Sequence, residues 1–226
     1  MRYAARWAIL SLRHLSEHSE QSPVGGFYKR SFDVAGALAA FALLSPLLLM
    51  LALLVKLSDG GSVFYGHRRI GRNGQDFLCL KFRTMAQNGD DILAAHLAAD
   101  PASREEWIAT RKLRHDPRVT RVGIVLRKLS LDELPQLWNI LRGEMSFVGP
   151  RPVVEEELEF YGTSVHCYLK TRPGLTGLWQ ISGRNDVSYL NRVAFDQHYV
   201  ENWSFLQDMV IIVKTFPAVL SSRGSY

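Results

Sequence analysis

The stretch Val34 to Val55, VAGALAAFALLSPLLLMLALLV, decides the architecture, because it runs 22 residues without a charge. About 18 apolar residues suffice to mark a candidate membrane helix. At ~1.5 Å per residue the run would reach about 33 Å as a straight helix, enough to cross the hydrocarbon core. A single crossing is therefore the plain reading of its length. Two features favour another. Ser45-Pro46 falls at the middle of the run, where proline removes an N–H and clashes with the preceding turn, so a kink is expected. Both flanks are basic, Lys29-Arg30 before and Lys56, Arg68 and Arg69 after, whereas a crossing helix usually shows a Lys/Arg bias toward one side. A helix that enters, bends at Ser45-Pro46 and leaves by the same face satisfies both observations. A kinked spanning helix stays open as the alternative.

Working outward, residues 1–28 hold Arg2, Arg6, Arg13 and the short apolar stretch Trp7 to Leu12. That is too short and interrupted for a signal-peptide core, and it reads as an interfacial amphipathic helix or a frayed tail. Residues 29–57 form the re-entrant helix, and residues 58–226 a catalytic region of small, mixed, helix-rich α/β character. Within it, Ser62 to Tyr65 and Phe77 to Phe82 read as strands of a hairpin around Gly71-Arg72-Asn73-Gly74. Asp90 to Arg114 reads as helical with a boundary at Pro101. Asp132 to Leu141 and Val153 to Tyr161 read as short helices, the second with an acidic start. Trp203 to Leu220 is apolar but carries Asp208, Lys214 and Pro217. It fits a helix lying in the membrane interface, anchored by Trp203, better than a second crossing.

Composition narrows the partners. With 27 Lys and Arg against 22 Asp and Glu, the chain favours an anionic partner: nucleic acid, a phospholipid surface or a phosphorylated substrate. Nucleic acid accounts for the charge but not for the membrane segment. The two cysteines, Cys79 and Cys167, form no CxxC pair, which argues against a disulfide framework or a structural zinc site.

The chemistry concentrates at Ser130-Leu131-Asp132-Glu133-Leu134-Pro135. Pro135 belongs in the first turn of a helix, which puts the helix start near Asp132. In isolation the capping reading is favoured, with Asp132 an N-cap or Ser130 and Glu133 a capping box. The same position suits catalysis: a helix dipole would keep the carboxylate ionised and ready to attack phosphorus, while Glu133, turned by roughly 100°, holds a metal beside it. The surroundings favour the second reading. From Arg111 to Arg151 there are nine Lys/Arg and four Asp/Glu residues, and a carboxylate attacking an anionic phosphate needs such cations. Gly149-Pro150-Arg151-Pro152 would hold an arginine on a stiff loop. Lys81 and Arg83 alternate with apolar residues in LKFRTM, as if directed to one polar face.

These residues identify a family. KRSFDV at Lys29, SPLLL at Ser45, FYGHRRIGRNG at Phe64, LKFRTM at Leu80, LRKLSLDELPQLWNILRGEMSFVGPRP at Leu126 and RPGLTGLWQISGRNDVS at Arg172 resemble the bacterial polyprenyl-phosphate sugar-1-phosphate transferases, the monotopic phosphoglycosyl transferases. The match looks closest to the small enzymes of the galactose-1-phosphate type that prime exopolysaccharide. The resemblance implies a ping-pong reaction in which Asp132 attacks the β-phosphate of a UDP-sugar, UMP leaves, and undecaprenyl phosphate takes the phosphosugar. It implies that Glu133 helps bind Mg²⁺, and that Lys81, Arg127 and Arg151 contact phosphate or brace the site. It also implies a membrane helix bent at Ser45-Pro46 and anchored at the interface by Lys29, Arg30 and Asp33. The catalytic region would then face the cytoplasm at the inner membrane, with membrane lipid as a partner and a homodimer compatible. UDP-glucose is the alternative donor, and a non-catalytic membrane adaptor the alternative class. An Asp-x-Asp glycosyltransferase is disfavoured, because Asp90-Asp91 lacks a preceding apolar strand. Trp179 and Arg184 are candidates for the nucleotide, with core packing and a surface turn as equal alternatives.

Overall fold

A computed structural model describes residues 23–182 and 187–220; the expected N-terminal interfacial helix and Arg184 lie outside them. The charge-free run lies within one continuous helix, α1 (Gly26–Asp59), with Pro46 inside it. Only 11% of its most apolar 18-residue window is buried, and Leu43, Leu49, Leu53 and Leu57 are exposed. A core helix of a water-soluble protein would bury such a face.

The chain forms two units, and α1 contributes to both, dividing between Leu43 and Leu44. The first unit also takes Gly66–Leu80 and the chain from Pro135 onward. In it the opening turns of α1 are fastened by their polar residues. Lys29 Nζ lies 2.5 Å from Asp208 Oδ2 on the last helix, with both side chains buried. Arg30 donates to the carbonyls of Ile140 (2.6 Å) and Leu141 (2.9 Å), both in the last turn of α5 (Gln136–Arg142). Asp33 Oδ1 accepts from Ser146 Oγ and Phe147 N, both at 3.0 Å. These three residues, expected as contacts with the membrane interface, therefore direct their charges to protein partners.

Strand β3 (Ser146–Val148) pairs in parallel with β4 (Gly174–Thr176). A Cβ on Gly174 would stand 2.1 Å from the Gly149 nitrogen, so the glycine permits the close approach that holds the Gly149–Pro152 loop. One core gathers Ile70, Val153, Leu158, Tyr161, Tyr168 and Val193; another gathers Val148, Tyr199 and Ile211. Helices α8 (Tyr189–Glu201) and α9 (Phe205–Leu220) complete this unit, with α6 (Val165–Leu169) and α7 (Leu178–Ile181). The expected helix at Val153 to Tyr161 is a 3-10 segment, Glu155–Ser164, with Gly162 at φ 48°. Its acidic start is used at once: Glu157 accepts from Val154 N at 3.0 Å and pairs with Arg69 at 3.3 Å. Trp203, read as an interface anchor, donates its indole N–H to Asp208 at 3.1 Å.

The second unit comprises Leu44–Tyr65 and Lys81–Leu134. Leu51 and Val55 of α1 pack with Phe82 and Leu126. The expected hairpin is present as β1 (Phe64–Ile70) and β2 (Asp76–Phe82). The first strand reaches beyond the expected Tyr65, because a two-stranded ribbon leaves a face in water where Arg68 stays exposed. Its turn needs left-handed backbone at Asn73 (φ 57°) and Gly74 (φ 71°). The helical stretch divides at Pro101 as expected, into α2 (Gly89–Ala99) and α3 (Pro101–Thr110), where Asp100 caps the second by accepting from Ala102 N.

Helix α4 (Arg121–Lys128) starts at Thr120, whose hydroxyl accepts from Gly123 N at 2.9 Å. A Cβ on Gly123 would stand 2.1 Å from the Thr84 carbonyl oxygen. Gly123→Ala should therefore force α4 off its seat and lower the thermal midpoint in detergent, by about 1–3 kcal/mol of overpacking. An unchanged midpoint would show that the contact yields freely.

Candidate active site

The acidic pair sits on a 3-10 turn, Leu131–Glu133, after α4. Neither capping reading survives. Ser130 adopts left-handed backbone and makes no side-chain cap bond, and α5 begins only at Gln136 with Pro135 as its cap. Proline has no N–H to give, so the helical ladder starts after it. Asp132 thus stands outside α5, and the expectation that a helix dipole keeps it readily ionised is corrected. Asp132 is 8% exposed, and burial pushes its carboxyl above the usual carboxylate range; Lys81 opposes this, Glu133 adds to it and Arg127 opposes it.

Lys81 bridges the pair. Its Nζ lies 2.6 Å from Glu133 Oε1 and 3.6 Å from Asp132 Oδ2. Lys81 is on β2, so the strand delivers the cation and the 3-10 turn the two carboxylates. Arg127, from the last turn of α4, donates Nε–H to Thr84 Oγ1 at 2.9 Å. Arg83 turns elsewhere, pairing with Asp59 at the end of α1. The Asp59 carboxylate also accepts from Gly61 N and Gln87 N, both at 3.2 Å. In this arrangement Arg83 braces the end of the membrane helix. The structure therefore brings together Asp132, Glu133, Lys81 and Arg127 in one unit, and gives Arg83 another task.

No cluster of three or more His, Cys, Asp or Glu side chains suited to a metal occurs among the described residues. A cage built from protein ligands alone is thus absent there. Mg²⁺ is different, because it is commonly held by one or two carboxylates with substrate phosphates and water. The Glu133 side chain is 37% exposed, with Oε1 taken by Lys81, which fits a single protein ligand of that kind.

In the first unit, Arg151 and Trp179 are neighbours. The Arg151 guanidinium stands 5.8 Å from the Trp179 ring centre, and that of Arg192 4.7 Å. Arg151 makes no hydrogen bond or ion pair among the described residues. Trp179 is 5% exposed, the exposure of a packed core residue, so it serves Arg151 as a cation–π support. The two residues line a small recess, open to solvent, with Arg192, Tyr189 and Asp196. Asp196 accepts from the Tyr161 hydroxyl at 2.7 Å, and burial pushes its carboxyl up to about 7.

A basic group bridging a buried carboxylate and a more exposed one suits transfer of a charged group. The model of the family described as "Bacterial sugar transferase" matches residues 24–222. The chain belongs to that family. The transferase is 64% identical, over the whole of both chains, to the "Exopolysaccharide production protein ExoY" of Sinorhizobium fredii. It is 51% identical to the "UDP-galactose-lipid carrier transferase" of Erwinia amylovora, over 100% of this chain and 47% of that protein. It is 50% identical to the "Undecaprenyl-phosphate galactose phosphotransferase" of Salmonella typhimurium, over 88% of this chain and 42% of that one. The family read from the motifs is thereby borne out.

Several residues of the transferase escaped the sequence reading. Asn139, fully buried, donates to the Leu78 carbonyl (2.7 Å) and to Glu144 (2.6 Å) and accepts from Leu80 N (3.0 Å). It ties α5 to the β2 strand, and a polar residue within the apolar run LWNIL was the available signal. Thr84 lies inside LKFRTM, and only the fold reveals its partner.

Proposed function

We propose that this protein transfers hexose-1-phosphate, galactose-1-phosphate by similarity, from a UDP-sugar to undecaprenyl phosphate, the priming step of exopolysaccharide assembly. The observation that carries this reading is the buried Asp132 with the Lys81 ammonium 3.6 Å away. An Asp132 oxygen attacks the sugar-bearing phosphorus, the bond to the bridging oxygen breaks, and UMP leaves. An acceptor phosphate oxygen then attacks the same phosphorus and returns Asp132 as a carboxylate. Lys81 and Arg127 offset the phosphate charge, as positioning and electrostatics do in phosphoryl transfer generally. The resemblance gives Arg151 a phosphate as well. Glu133 would hold Mg²⁺, which when bound neutralises charge on the diphosphate.

We read α1 as re-entrant, bending at Ser45-Pro46, with the remainder of the chain on the cytoplasmic face of the inner membrane. The exposed leucines on both sides of Pro46 and the basic residues at both ends support this. On α9, Leu206, Val210, Val213 and Phe216 are exposed while Asp208 and Ile211 point inward, the pattern of an interfacial helix. Cysteines placed before and after Ser45 should label from the cytoplasmic side alone; labelling of residues after Lys56 from the opposite side would rule out the bend.

The test of the chemistry is intact-protein mass after incubation with UDP-galactose and Mg²⁺ without acceptor. A gain of one hexose phosphate is expected, and UDP-glucose in parallel decides the donor. No adduct, with UMP formed only when acceptor is present, would favour direct transfer. The raised carboxyl of Asp132 adds a pH signature. Protonation removes the nucleophile, so acceptor-free UMP release should fall as pH drops, with its acidic limb above the ~4 of an ordinary carboxylate. A limb at or below that value would contradict the assignment.

A further inference from the structure

Arg127 reaches the site from a short helix, and a guanidinium on a flexible stem must be aimed before it can serve a phosphate. Among the described residues its only hydrogen bond is Nε–H to Thr84 Oγ1, 2.9 Å long. Asp132 and Asp116 are the carboxylates that act on Arg127, and Asp116 is occupied by Arg118, which donates to it through Nε and Nη2. Among the described residues neither terminal nitrogen of Arg127 donates a hydrogen bond, while Nε is held by Thr84.

The holder is itself rigid. Thr84 is 8% exposed and lies two residues past the end of β2. Its carbonyl accepts from Thr120 N at 3.0 Å. Met85 bridges to Val119, and Ala86 N donates to the Arg118 carbonyl at 2.9 Å. The missing side chain at Gly123 lets α4 seat directly on the Thr84 backbone. Thr84 thus grips α4 twice, through its carbonyl at the start of the helix and through its hydroxyl at the arginine in the last turn.

We infer that Thr84 is a positioning residue for the transfer: its hydroxyl fixes the Arg127 guanidinium so that both terminal NH₂ groups face the substrate diphosphate. This rests on the reading of Arg127 as a phosphate contact given above. The chain supplies the fork pre-aimed, and binding then costs less side-chain entropy.

The test measures acceptor-free UMP release from UDP-galactose by the full chain in detergent. Thr84→Val keeps the shape and the carbonyl but not the hydroxyl, and should slow release about 10- to 100-fold, the usual worth of a hydrogen bond to a charged group. Thr84→Ser should recover to within about threefold. In an Arg127→Ala background, Thr84→Val should cause no further loss, because the group it aims is gone. A full loss in that background, or Thr84→Ser as slow as Thr84→Val, would assign Thr84 a merely structural part and overturn the inference. Thr84→Val at the wild-type rate would overturn it as well. Should Thr84→Val fail to accumulate, Thr84→Ala against Thr84→Ser decides by the same comparison. Wild-type protein that forms no adduct and releases no UMP would instead refute the underlying reading, a distinguishable outcome.

Discussion

Asp132→Asn is expected to abolish transfer, slowing UMP release by at least about 10³-fold, as loss of a covalent nucleophile does elsewhere. The amide has nearly the shape of the carboxylate but no charge to attack phosphorus, so the phosphosugar adduct should vanish from the mass spectrum. The same variant should be no less stable than the wild type. Burial raises the Asp132 carboxyl in the folded chain, so its charge opposes folding once pH exceeds the folded value, and at low pH the protonated group has no such effect. The variant should therefore melt higher at neutral pH, and the advantage should shrink as pH falls toward the unfolded value near ~3.9. At a helix cap asparagine serves about as well as aspartate, so a capping role would leave both midpoint and activity nearly unchanged. Loss of activity with a raised midpoint thus separates a nucleophile from a cap at this position.

That separation shows where residue order carries information and where it does not. The charge-free run announced α1, since its signal is local and repeated at every position. The turn at Gly71 to Gly74 and the break at Pro101 were legible because backbone geometry there depends on residue type alone. Asp132, Glu133 and Lys81 could be named from the motif, but their contact depends on a strand meeting a 3-10 turn about 50 residues away in sequence, a long-range pairing that periodicity does not encode. Arg83 was misplaced for the same reason: alternation put it with Lys81, whereas it follows the strand and finds Asp59. The family resemblance implied that Lys29, Arg30 and Asp33 anchor α1 at the interface. Their partners lie more than a hundred residues further on.

The second large effect is expected from that block. Lys29→Met should cost about 3–5 kcal/mol, because it leaves Asp208 buried without its counter-charge. Asp208 is 1% exposed and, among the described residues, its carboxylate keeps the Tyr199 hydroxyl at 2.7 Å and the Trp203 indole at 3.1 Å, neither of which carries charge. The change should appear as a large drop in thermal midpoint in detergent. Asp208→Asn in the same chain should restore part of it, since an amide needs no counter-ion. A Lys29→Met midpoint within a degree of wild type would mean that water reaches Asp208 after all. Activity should follow stability here, so that protein surviving at low temperature still forms the adduct.

The distance between those partners along the chain sets an order of events during synthesis. Asp208 follows Lys29 by 179 residues. At ~5–20 residues per second the ribosome needs roughly ten to forty seconds to make that interval. Throughout it the charge at the head of α1 lacks the carboxylate on α9 that it meets in the folded chain, although the apolar run behind it is ready for the bilayer almost at once. The nascent helix must then wait with Lys29 in water or among lipid headgroups, which holds its first turn at the membrane surface until α9 emerges and draws the ammonium inside the protein.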